Sequence, residues 1–339
     1  MYYNAEDRRE DGALLEFLPR KKTSSGLSSM VKLFILCLFV GLGAQIVIAT
    51  TQRTDANFNA SVARPAYSKN SPRVLLDEAH NNTDTSTGTY APFSDLISND
   101  GYRVVPNVKK FSKASLTGCA VLVIVNADGP PGDRESSPFT DLECDVLRDW
   151  VYAGGSLLLI CDQAPFSAAA AALAKRFGID LTKGFTIDSI HHNKDSGDET
   201  ELVFSKENGL LEDHPIIRGR NATEQINRVV TFTGTSVKGP AGSVSFLKLA
   251  DTAKDIFPAD RKPSESGEAA PDPRQVPAVG RAQGVALSIG KGRVVVLGEA
   301  AMLTAQVASR GFPFGMNVSG FDNRQLALNI MHWLSGLLR

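Results

Sequence analysis

The sequence predicts a three-layer α/β fold, a mostly parallel sheet covered by helices, preceded by one N-terminal transmembrane helix. Three observations predict it. The runs Ala120–Val125, Ser156–Cys161 and Arg293–Leu297 are almost unbroken in Val, Leu and Ile, as suits strands buried on both faces. Between such runs lie stretches with apolar residues at helical spacing, the alternation expected of strands joined by crossover helices. Finally, the seventeen uncharged residues Leu33–Ala49 match the ~17–25 apolar residues that cross a bilayer core.

From the N-terminus, residues 1–29 are polar, mixed in charge and without periodicity, and read as a disordered cytoplasmic tail. Residues 30–50 hold the anchor. A cleaved signal peptide would have a shorter basic region and a small-residue cleavage site, and a core helix would show a polar face. Four Lys or Arg lie in the fifteen residues before Leu33 and two in the fifteen after Ala49. The positive-inside rule then leaves the N-terminus cytoplasmic and exports the rest of a single-pass membrane protein. Residues 51–71 read as a tether.

The folded domain is expected over 72–339. Arg73–Asp77 is its first strand. Pro92–Asn99 is a short helix stopped at Asp100-Gly101, and Tyr102–Val105 is the next strand. Ala120–Val125 follows. Thr140–Tyr152 sets Leu142, Val146, Leu147 and Trp150 on one helical face before the Ala153-Gly154-Gly155 stop. Ser156–Cys161 is a strand and Phe166–Phe177 an alanine-rich helix. Between 183 and 290 the rhythm shortens, with strands near Val229–Thr233 and Val244–Leu249, which suggests an antiparallel extension. Residues 258–277 hold five Pro and many charges, the composition of a surface loop. Gly290-Lys291-Gly292 precedes a strand and reads as a hairpin turn. Arg293–Leu297 is the last strong strand and Asp322–Leu337 the closing helix.

Composition narrows the partners. With 36 Lys and Arg against 37 Asp and Glu, the net charge is −1 and no basic stripe points to nucleic acid. Cysteines stand at 37, 119, 144 and 161, none in a C-x-x-C pair, so a zinc ribbon is excluded. No cofactor motif is present. No H-x-x-E-H spacing supports a metal, and His191-His192 falls in a polar loop that reads as solvated.

In open α/β sheets ligands bind beyond the carboxyl ends of the strands. The polar residues expected there are Asp77, Glu78, His80, Asn81 and Asn82 after the first strand, Asp162 and Gln163 after Ser156–Cys161, and Glu299 after Arg293–Leu297. Asp322, a natural N-cap, leads into Asn323 and Arg324. The extension adds His214, Arg220 and Glu224. Glu78, His80 and Glu299 are the catalytic candidates. Asp77, Asn81, Asn82, Asp162, Gln163, Arg220, Asn323 and Arg324 are the ligand-binding candidates. The competing reading is that strand-end polar residues cap loops where the chain leaves the core.

The segments Val74–Asn82, Ala153–Phe166, Asp213–Arg220, Thr231–Gly234, Val296–Gln306 and Asp322–Leu334 together resemble the class I glutamine amidotransferase-like superfamily. The resemblance is to its membrane-tethered bacterial branch of unknown function and, more distantly, to gliding-motility transport accessory domains. It implies a flavodoxin-like or amidotransferase-like three-layer fold. Catalytic members carry a nucleophilic Cys in G-x-C-x-G and a later His-x-Glu pair. Here Cys161 is flanked by Ile160 and Asp162, and no His-x-Glu follows. Amidotransferase chemistry is therefore not expected, and Cys161 is expected to be structural.

The expectation is thus a membrane-anchored extracytoplasmic domain without catalysis, binding a ligand or an envelope or transporter protein at its carboxyl-end rim. The alternative is a hydrolase acting on an envelope substrate such as a glycan through Glu78, His80 and Glu299.

Overall fold

The computed structural model describes residues 52–257, 272–308 and 311–339. In chain order the strands are β1 (Arg53–Thr54), β2 (Arg73–Asp77), β3 (Arg103–Asn107), β4 (Val121–Val125), β5 (Ser156–Ile160), β6 (Asp180–Leu181), β7 (Phe185–Ile187), β8 (Val203–Ser205) and β9 (Arg228–Val230). They continue with β10 (Val237–Lys238), β11 (Val244–Lys248), β12 (Lys254–Phe257), β13 (Arg274–Pro277), β14 (Ala282–Ile289), β15 (Gly292–Leu297), β16 (Ala305–Val307) and β17 (Pro313–Gly315). The helices are α1 (Ala91–Asn99), α2 (Asp141–Tyr152), α3 (Phe166–Lys175), α4 (Pro215–Arg218) and α5 (Asn323–Leu334), with 3-10 turns at Ala222–Glu224 and Ala301–Leu303.

The main sheet runs β3-β2-β4-β5-β15-β14-β10-β6, with β11 also paired to β14. From β3 to β15 all pairings are parallel. Those of β14, β10, β6 and β11 are antiparallel. The sheet is therefore mixed, which corrects the expectation of a mostly parallel one. The cause is local. Gly290, at φ +59°, and Lys291 form a two-residue hairpin loop, so β14 must run against β15. A Cβ at Gly290 would also lie 2.7 Å from the Tyr152 carbonyl, so glycine is required twice over.

Alternation along the strands builds two cores. Val74, Leu76, Val121, Val123 and Val295 face α1 and α5, packing on Phe93, Leu96, Leu326 and Ile330. Leu75, Leu122, Ile124, Leu157 and Val294 face α2 and α3, packing on Leu147, Val151 and Leu173. Each such side chain, fully withdrawn from water, contributes ~1.5–3 kcal/mol. A central strand with both faces covered therefore requires apolar residues at every position, and this is why β4 and β5 stand out in the sequence.

The expected transmembrane helix is corrected as well. Among the described residues no helix is long and apolar enough to cross a membrane. The 33–49 stretch on which it rested, like the 1–29 tail, lies outside the described residues. The single-pass topology, the membrane as partner and the extracytoplasmic placement all depended on that helix and are withdrawn with it. Most of the expected 258–277 loop also lies outside the described residues; its last part is β13, paired with β12.

The segment read as a tether lies along the domain. β1 pairs antiparallel with β16, Arg53 opposite Val307. The Ala66 amide donates to the Asp100 carboxylate at 2.8 Å, and the Tyr67 hydroxyl donates to Ser335 Oγ at 2.9 Å. Phe58, Val62 and Tyr67 pack against the α1/α5 core.

Candidate functional site

β3 and β4 lie on opposite sides of β2, so strand order reverses between β2 and β4, the place where open α/β sheets hold ligands. Asp77 ends β2 fully buried. Its Oδ2 lies 2.7 Å from His80 Nδ1, and its Oδ1 accepts from Asn107 Nδ2 at 3.0 Å. The other imidazole nitrogen, His80 Nε2, is 3.0 Å from Glu143 Oε1. Phe111 and Phe139 flank the ring, with centroids 4.4 and 4.8 Å away.

Glu143 completes a capping box at the start of α2: the Thr140 hydroxyl accepts from the Glu143 amide, and the Thr140 amide donates to the Glu143 carboxylate. Its Oε1 also accepts from the Phe111 amide at 3.0 Å. Burial alone would raise the Glu143 pKa. The hydrogen bonds from the Thr140 amide, His80, the Thr140 hydroxyl and the Phe111 amide outweigh it, and hold the carboxyl at about 2. Asp77, His80 and Glu143 thus form a brace tying β2 to α2, with Asn107 extending it to β3.

A second group sits over the ends of β4, β5 and β15. Asn126, in the left-handed region at φ +41°, donates from Nδ2 to both Asp84 and Asp162 at 2.9 Å. The Asp162 amide donates back to Asn126 Oδ1 at 3.0 Å, and Asp162 Oδ1 accepts from the Ala300 amide at 2.8 Å. Glu299 is buried and accepts from the Ala301 and Met302 amides at 2.6 and 2.8 Å, capping the 301–303 turn. Gly234 packs against it: a Cβ there would stand 2.6 Å from Glu299 Cβ.

Burial, and next the Asp84 charge, raise Asp162 to about 7 despite its two hydrogen bonds. Burial and the neighbouring Asp162 raise Glu299 well above the carboxylate range. Tyr90, whose hydroxyl donates to the Ala300 carbonyl at 2.7 Å, is raised by burial and by Asp84, Glu299 and Asp162. Among the described residues no group of His, Cys, Asp and Glu is arranged to hold a metal ion.

The predicted residues therefore fall into separate places. Asp77 and His80 meet, whereas Glu78 turns to Ser86, accepting from its amide at 2.8 Å and its hydroxyl at 2.6 Å. Asn81, at φ +54°, donates to the Asp128 carbonyl, and Asn82 accepts from the His80 amide and donates to the Val125 carbonyl. Asp162 and Glu299 share the second group. Gln163 follows with its Oε1 buried and without a partner among the described residues. Asn323 binds the Val230 backbone and the Met302 carbonyl. Arg220 pairs with Glu224 at 2.7 Å, against α5 rather than over the strand ends. His214 caps α4 through Nδ1.

Arg324, a ligand-binding candidate, is engaged elsewhere. It donates to the Ser61 carbonyl at 2.5 Å, holding the 52–71 segment. Arg324→Ala should cost about 1 kcal/mol in a urea melt, the usual value of one such hydrogen bond, and should speed hydrogen exchange within 52–71. An unchanged exchange pattern would show that this contact does not hold the segment.

Glu143, Asn126 and Asp84 were not among the predicted residues. Thr140-x-x-Glu143 is a visible capping-box pattern, and Asn126 directly follows a buried strand; those were the signals.

No family model matches the chain, and no curated protein does. Among solved structures, the mmIFT52 N-terminal domain aligns with a TM-score of 0.52 at 16% identity, over 78% of this chain and 97% of that one. A glutamine amidotransferase from Thermotoga maritima aligns at 0.36 and 15% identity, over 68% and 75% of the two chains. A ThuA-like protein from Bacteroides uniformis aligns at 0.37 and 14%, over 80% and 94%. Only the first supports an argument, and it concerns the fold alone. The expected kinship with a membrane-tethered amidotransferase-like branch is corrected to a weak, low-identity likeness of fold.

Proposed function

We propose that this chain is a non-catalytic α/β scaffold domain whose strand-end polar residues hold its loops in place. One observation carries this reading. The loops after β2 and β4 are stitched together across the switch point, where a substrate would have to enter. The Thr83 amide donates to the Asn126 carbonyl at 3.2 Å, the Asp128 amide to the His80 carbonyl at 3.1 Å, and Asn82 Nδ2 to the Val125 carbonyl at 3.0 Å. Cys161 supports the same reading. Burial and the adjacent Asp162 push its thiol up, away from the nucleophilic thiolate. The expected rim-binding membrane protein and the envelope hydrolase are both set aside: the helix they needed is not found among the described residues, and Glu78, His80 and Glu299 each serve a different contact.

Native-state alkylation tests it. Cys161 should react at least ~100-fold more slowly in the folded protein than in urea, and the Thr83 and Asp128 amides should exchange only on global unfolding. Rapid stoichiometric alkylation, or ammonia release from glutamine that Cys161→Ala abolishes, would restore an enzymatic reading.

A further inference from the structure

The α2/α3 face of the sheet is left open at the β3 edge. There the 108–117 loop, instead of a helix, lies over β2 and β3 and encloses a cleft of about 210 Å³. Arg73, Asn107, Lys109 and Ser115 supply polar groups to its lining, and no acidic residue lines it.

The charge here is uncompensated. Arg73, Arg103, Lys109, Lys110 and Lys113 belong to this edge and loop, and none of them is in an ion pair among the described residues. In a chain of net charge −1 the cluster is a local excess. Asp77 and Glu143, which accept from Asn107 Nδ2 and the Phe111 amide, are buried and engaged with His80.

The frame is ordered. Arg73 Nη1 donates to the Thr117 carbonyl at 2.9 Å, which fixes the guanidinium against the end of the 108–117 loop. Asn107 Nδ2 donates to the Lys109 carbonyl at 2.8 Å and also to Asp77, so the brace sets the start of the loop. Ser115 Oγ accepts from the Ser112 amide at 2.9 Å and donates to the Lys110 carbonyl, closing the loop on itself.

We propose that this cleft binds a phosphoryl group, with Arg73 as the directional donor and Lys109 as the adjacent charge. Two cations, Arg73 and Lys109, line the cleft with no acidic residue beside them, which favours an anion of more than one charge, and a guanidinium fork matches phosphate oxygens. Addition of an acidic peptide strand along β3 is disfavoured. The Arg103 amide and the Asn107 carbonyl already point to the β2 side, which turns Val104 and Pro106 outward, and Pro106 has no N–H to offer.

The test titrates the full chain with inorganic phosphate, O-phosphoserine and sodium chloride at matched ionic strength, followed by calorimetry and thermal midpoint. Phosphate should bind saturably, and chloride should not reproduce the rise in midpoint. Arg73→Ala should weaken phosphate binding by about tenfold and Lys109→Gln by about threefold. Lys248→Gln, on β11, should leave it unchanged. Tighter binding of O-phosphoserine than of phosphate would assign the site to a phosphorylated side chain, and equal binding to the free anion. Equal midpoints in chloride and phosphate would overturn the proposal. So would phosphate binding undiminished in Lys109→Gln, an exposed change that should fold whatever becomes of Arg73→Ala.

Discussion

His80→Ala will lower the unfolding free energy by ~3–5 kcal/mol, the typical cost of removing one member of a buried polar pair and leaving the other without its partner. Here two carboxylates are stranded together. Asp77 is fully buried and loses its 2.7 Å contact; Glu143 loses one of the hydrogen bonds that hold its pKa low. The imidazole also fills space between Phe111 and Phe139, so its loss leaves a cavity. A urea midpoint shift at constant slope measures the effect. Glu143→Gln, which can still cap α2, should be milder, and the double variant should cost less than the sum, because both changes remove the same contact. A loss below ~1 kcal/mol in His80→Ala would mean that the brace contributes no more than an ordinary surface hydrogen bond.

Between pH 5 and 6.5 the protein should become less stable as pH rises. Asp162 titrates near 7 in the folded state and near 3.8 in the unfolded chain, and Glu299 is likewise raised well above 4.5. Asp162 therefore keeps a proton in this window that the unfolded chain has released, and the upward shift of Glu299 acts in the same direction, so each destabilises the fold as pH rises. His214 works the other way. Burial holds it near 4, so its contribution is present above 6.5 and is lost as pH falls through that interval, offsetting one of the two carboxylates. Glu143 adds an acid limb: its stabilisation, present above 4.5, is lost as pH falls towards 2. Maximum stability should thus lie on the acid side of neutrality. Glu299→Gln should flatten the slope from pH 5 to 6.5 and gain relative stability at pH 7, read from urea melts across the series. A slope of the same size in that variant and in Asp162→Asn would show that neither carboxylate carries a displaced pKa.

Much of the fold was legible because burial leaves a pattern. β2 ends where the sequence places it, at Asp77, and β4, β5 and β15 fall within a residue of expectation, since a strand covered on both faces admits little but Val, Leu and Ile. β14 was not legible. Its Gln283, Gly284 and Ser288 dilute the apolar run, yet Gly284 is required because a Cβ would lie 2.8 Å from the Phe246 ring. The Asp77–His80 contact was within reach of the sequence, three residues apart beyond a strand end. Its third member was not, because Glu143 lies 63 positions from His80 and only the fold brings them together. Arg324 shows the converse error. Its place at the start of the closing helix made it a ligand-binding candidate, but the 52–71 segment, read as a tether, takes it.

That segment bears on how the chain is made. β1 has its pairing partner at Val307, and Tyr67 has its own at Ser335, over two hundred and fifty residues downstream. During synthesis at ~5–20 residues per second, these early residues wait tens of seconds for partners still on the ribosome. β5 likewise keeps an open edge until residues 292–297 emerge to cover it. Contacts this distant in sequence slow folding. Among the described residues, β1 and the open edge of β5 therefore both wait for partners made much later, and those are places where a chaperone would be useful to the nascent domain.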